Sequence, residues 1–154
     1  MPSRYDLVLF NLAIARYPLD HPGMAGFVGQ IEAVNRLAAE SPGFLWTPAE
    51  GEQGDSTAVF ANPRLLPNIS TWRSLEHAYR FVYEGAHGAA VRRRDEWFER
   101  AEGAAYVLWW TPAGSRPSWA DAAERLRHLD THGPSPRAFT FSHPFDPTVT
   151  LKAE

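Results

Sequence analysis

The chain has 154 residues, the size of one ordinary domain, with 44% hydrophobic and 21% charged residues. A formal charge of −3 gives it no global attraction to nucleic acid or to an anionic membrane. The absence of cysteine excludes disulfides, thiolate nucleophiles, zinc–cysteine sites and iron–sulfur clusters.

Tyr5 to Ala13 (YDLVLFNLA) is nearly all apolar and too short for a typical helix. It predicts a strand buried on both faces. Leu7, Leu9 and Asn11 share one face, and Val8, Phe10 and Leu12 share the other. Asn11 is the polar exception. Asp6 interrupts this run, which is too short for a signal core, and no segment approaches the ~20 apolar residues of a membrane span. The expected location is cytoplasmic.

Asp20 reads as the N-cap of a long helix to about Ala39, with Met24, Phe27, Val28, Ile31, Val34 and Ala38 on one face. Ser41-Pro42-Gly43 stops it. Phe44 to Thr47 begins a second strand, and the acidic, glycine-rich Ala49 to Ser56 is a turn. Thr57 to Ala61 is a third strand that resumes, after prolyl interruptions, over Asn68 to Trp72. Ser74 caps a second helix with Leu75, Ala78, Tyr79 and Val82 on one face. Gly85 and Gly88 predict a kink within it.

Tyr106 to Thr111 is another doubly apolar strand. Ser118 with Asp121 resembles a capping box for a helix facing inward through Trp119, Ala122, Leu126 and Leu129. Gly133 ends that helix, Arg137 to Ser142 forms a last strand, and the tail from Pro144 is expected to be loose. The order βαββαβ, then αβ, implies one α+β domain: a ferredoxin-like antiparallel sheet with an appended helix and strand. Helices cover one face of such a sheet, yet two of these strands are apolar on both. A second copy packed sheet to sheet is therefore expected, giving a homodimer.

Several segments carry a family likeness: MAGFV (Met24–Val28), PGFLW (Pro42–Trp46), Trp72, FVY (Phe81–Tyr83), His87, RRRDEWF (Arg92–Phe98), LWWTPAG (Leu108–Gly114) and HGPSPRAFTF (His132–Phe141). With them the chain resembles the dimeric α+β-barrel superfamily, which includes antibiotic-biosynthesis and haem-degrading monooxygenases. Within it the chain resembles a bacterial family known as domain of unknown function 3291. The resemblance implies two kinds of site. Haem-degrading members use an Asn on the first strand, a Trp on the third and a His on the second helix, which points to Asn11, Trp72 and His87. Cofactor-independent quinone-forming members use Asn and Trp four residues apart, then a Tyr and an Arg. Asn68 and Trp72 match that spacing, with Tyr79 and Arg92 as approximate counterparts.

The residues support a pocket in their own right. Trp72 offers a flat indole for stacking, or alternatively a core ring at the sheet–helix seam. Tyr79, Tyr83 and His87 fall at i, i+4 and i+8, so a continuous helix aims them as one stripe into the domain. His87 is the candidate base, or a neutral ligand for haem iron; the competing role is satisfying a helix-kink carbonyl. Successive helical residues fan by ~100°, so only one of Arg92, Arg93 and Arg94 faces the pocket, there to hold a carboxylate or enolate. Asn11 orients an oxygen or bridges strands, and Trp110 is placed with it. His128 and His132 have a metal-ligand spacing, but a helix C-terminus favours His for its dipole alone, and no metal is assigned there.

The expectation is a monooxygenase-like enzyme with an aromatic or enolic, polyketide-like substrate. A haem protein, a non-oxidative cyclase or isomerase, and a non-catalytic ligand-binding module are the alternatives. Partners are a small molecule and a second copy, without nucleic acid or membrane.

Overall fold

The computed structural model describes residues 4–18, 20–48, 64–84, 94–99 and 104–147. β1 (Tyr5–Ala15) is its spine. It pairs antiparallel with β3 (Leu65–Trp72) on one edge and with β5 (Tyr106–Pro112) on the other. The two-residue β4 (Phe98–Glu99) continues the second edge opposite Ile14 and Ala15. β2 (Phe44–Trp46) lies against β3. These make an open five-stranded antiparallel sheet, not a closed barrel. The spatial order β2-β3-β1-β5 across the sheet is the one a βαββαβ chain is expected to give.

Four α-helices are present among the described residues: α1 (Ala25–Glu40), α2 (Leu75–Tyr83), α3 (Arg94–Trp97) and α4 (Trp119–His132). None is long and apolar enough to cross a membrane. The alternation of β1 sorts the core into two faces. Leu7 and Leu9 join Trp72, Leu108, Trp110 and Phe139 beneath Ala78, Leu75, Phe81 and Val82 of α2. Farther along the same face, Ala15 meets Met24, Trp97 and Phe27, which brings the start of α1 together with α3. On the opposite face Val8, Phe10, Ile69, Val107 and Trp109 pack beneath Trp119, Ala122, Leu126 and Leu129 of α4.

That opposite face corrects one expectation. The doubly apolar strands were expected to need a second copy of the sheet. Here α4 supplies the cover from within the chain, so double burial of β1 and β5 requires no dimer. The last strand also shrinks. Phe139 forms a single bridge to Leu108, with reciprocal backbone bonds of 2.8 and 2.9 Å, instead of a ladder over 137–142. The tail is held at least to Phe145, whose carbonyl accepts from the Trp110 indole at 2.7 Å.

Helix starts follow local chemistry. Ser74 Oγ accepts from the His77 amide, and Ser118 Oγ from the Asp121 amide, each at 3.1 Å, as the capping pattern predicts. The first helix starts differently. Instead of an Asp20 cap, a 3₁₀ turn over Pro22–Met24 precedes α1, and His21 Nδ1 accepts from the Gly23 amide. α2 ends at Tyr83, with Glu84 already extended, so it does not run on as one helix towards position 87. The expected strand Thr57–Ala61 lies outside the described residues.

Gly43 ties β2 to α2. Its φ of +83° suits glycine, and a Cβ there would stand 2.3 Å from His77 Cγ. Its carbonyl also accepts from the Arg73 amide at 2.8 Å.

Three substitutions test this architecture by urea denaturation. Phe10→Ala removes a fully buried ring packed edge-on to Trp119; it should cost ~3–5 kcal/mol. Ser118→Ala should cost about 1 kcal/mol through the lost cap. Gly43→Ala should cost ~1–3 kcal/mol, and adding His77→Ala should recover only the steric share, because the backbone strain stays. A loss below about 1 kcal/mol for Phe10→Ala would contradict the two-faced core.

Candidate functional site

The face shared by α1 and α2 is apolar at both ends and polar in the middle. Asn11 pairs with Asn68 on β3 and with Tyr106 on β5. Residues in register share a face, so Asn68, Asn11 and Tyr106 form one row across three strands. Both asparagines are exposed. Two carboxamides at cross-strand spacing present donors and acceptors side by side. Separate likenesses point to Asn11 and to Asn68, and the strand register makes the two neighbours.

Aromatic rings border this row. Tyr106 lies 5.6 Å from Phe141 between ring centroids, and its hydroxyl oxygen accepts from the Phe141 amide at 3.1 Å. As an acceptor in that bond the hydroxyl keeps its own proton to donate. Phe141 in turn meets Tyr79 and Tyr83 edge-on at 5.5 and 5.8 Å. The two tyrosines lie 4.8 Å apart, and they remain 47% and 42% exposed. They were expected to point into the domain. Instead Ala78, Leu75, Phe81 and Val82 take the inward side of α2, and the phenols form its outer flank beside the C-terminal segment.

The two tryptophans are enclosed. Trp72 is fully buried, stacked on Phe81 at 5.1 Å and met edge-on by Phe44 at 5.5 Å. Its indole N–H donates to Ser70 Oγ at 2.9 Å. The stacking expected with a ligand is thus made with Phe81, and the ring serves the sheet–helix seam. Trp110 shares Asn11's face but sits opposite Leu7, buried, with its N–H held by Phe145. His87, Arg92 and Arg93 lie outside the described residues, as does any haem ligation through His87.

Tyr106 and Phe141 were missed by sequence reading. The signal for Tyr106 was its pairing with Asn11, which depends on a register that a single strand does not reveal. Phe141 offered only the alternating Phe139-Thr140-Phe141 pattern.

The pKa of His128, on α4, is lowered from its ordinary value. Burial lowers it first, then the neighbouring His132, Arg137 and Arg125, with Glu124 opposing. Among the described residues no cluster of three or more His, Asp or Glu side chains is arranged to hold a metal ion.

No curated protein matches the chain. Among solved structures it is similar to PA3566 from Pseudomonas aeruginosa, at 13% identity and a TM-score of 0.47, over 75% of this chain and 99% of that one. It is also similar to NE2512, a protein of unknown function from Nitrosomonas europaea, at 10% identity and a TM-score of 0.46, over 75% of this chain and 95% of that one. The model of one family, described as Domain of unknown function (DUF3291), matches residues 6–153, and the chain belongs to that family.

Proposed function

We propose that the row Asn68–Asn11–Tyr106 binds a flat phenolic or enolic small molecule, and that the protein acts on it as a monooxygenase-like enzyme. The observation that carries this reading is the exposed asparagine pair in register with Tyr106. Exposed Asn is disfavoured in strand centres, where β-branched and aromatic residues pack better. Departures from local preference are expected at functional or strained sites, and this one falls between two apolar clusters on the same face.

The chemistry follows from the donors. The carboxamides bind a carbonyl or phenolic oxygen, and the Tyr106 hydroxyl adds a further donor. Phe141, with Tyr79 and Tyr83 behind it, gives the ring an edge to pack against. His87 is assigned the base that removes a proton from an activated CH2. The resulting carbanion adds dioxygen. A C–O bond forms and the O–O bond breaks, leaving a ketone on the ring and releasing the second oxygen as water. One of Arg92 and Arg93 is assigned to hold the enolate during this step.

Two measurements test the reading. Binding of hydroxynaphthalene and anthrone-type compounds is followed by tryptophan fluorescence, and turnover by oxygen uptake. Asn11→Ala and Asn68→Ala should each weaken binding about three- to tenfold, the worth of one hydrogen bond. His87→Ala should abolish oxygen uptake while binding persists. Unchanged affinity in both asparagine variants would sink the site. Product formation under nitrogen would instead identify a cyclase or isomerase, and saturable binding without product a ligand-binding module.

A further inference from the structure

α4 carries a second cluster that the small-molecule reading does not use. His128 and His132 lie one turn apart on it, with ring centroids 4.7 Å apart and planes at 49°. An imidazole nitrogen sits ~2.0–2.1 Å from a bound transition cation, and the ring centre lies ~1.1 Å behind that nitrogen. Two imidazoles sharing one ion at ~90–109° therefore hold their centroids ~4.5–5.2 Å apart. The observed separation already has that value.

A second observation concerns one atom. His128 Nδ1 is closed off from solvent and has no hydrogen-bond partner. A buried polar atom left in that state is the usual trace of an ion or water. A cation at this nitrogen would remove the cost of leaving it unpaired.

The scaffold is rigid. Trp119, Ala122, Leu126 and Leu129 anchor α4 to the sheet, and the Ala104 amide donates to Asp130 Oδ1 between the two histidines. Both rings sit in the last two turns, where the helix dipole favours positive charge. The neighbouring cations select the kind of ion. Arg125 is bound to Asp121 and to the Arg137 carbonyl, yet it and Arg137 still oppose a dication held by charge alone. Ions that prefer imidazole for its nitrogen are less affected.

We propose that His128 and His132 chelate a divalent transition cation of the nitrogen-preferring class, Zn2+, Ni2+ or Cu2+, at the C-terminal end of α4. With two ligands from this chain the ion keeps positions for a further donor.

The test is calorimetric titration of the full chain with Zn2+, beside electron paramagnetic resonance with Cu2+. Removing even an outer partner of a metal ligand costs ~10–100-fold in affinity, so His128→Gln and His132→Gln should each weaken Zn2+ binding about tenfold or more. His143→Gln should bind as the wild type does. The Cu2+ spectrum should show two imidazole nitrogens in the wild type and one fewer in each single variant. Unchanged Zn2+ affinity in both single variants, or no Zn2+ binding by the wild type, would overturn the proposal.

Discussion

Everything in this fold depends on β1 being enclosed on four sides. Its edges are taken by β3 on one side and by β5 and β4 on the other. Its two faces are taken by α2 with α1 and by α4. A strand in that position must be apolar throughout, because backbone pairing satisfies its amides and leaves no water for its side chains. Leu7, Val8, Leu9 and Phe10 meet the demand and are buried. The enclosure fails at Asn11, where α2 has ended its coverage and the contacts of α1 and α3 at Ala15 have not begun. The candidate site occupies that gap.

Periodicity made β1, β5 and the inward face of α4 legible in the sequence, since each depends on spacing within its own segment. The caps at Ser74 and Ser118 were legible for the same reason. What escaped were properties set between segments. The doubly apolar strands showed that two covers exist, but nothing local says that the second cover is α4 and not another copy. Likewise the stripe Tyr79–Tyr83 is a fact of helix geometry, while its direction was decided by Ala78, Leu75 and Val82 competing for the sheet. Ala78, Leu75 and Val82 take the inward side together with Phe81, which stacks on Trp72, so the helix packs closely over Leu7 and Leu9.

The same competition explains the two roles found for aromatic residues on one face. Trp72 has stacking and hydrogen-bond partners within the fold, and a ring so satisfied has no surface left for a ligand. Tyr79 and Tyr83 keep 47% and 42% of their surface exposed despite contact with each other and with Phe141. Family likeness assigns function by residue type and element, and so favours Trp72. Burial assigns it by accessible surface, and so favours the Asn68–Asn11–Tyr106 row with its tyrosine flank. The two criteria agree only at the asparagines. Both asparagines are exposed, in the middle of a sheet whose neighbouring central positions on β1 and β5 are buried and apolar. A structural bridge between strands would call for one buried, satisfied Asn. Here there are two, both exposed and in register with Tyr106, and the proposed ligand site rests on that arrangement.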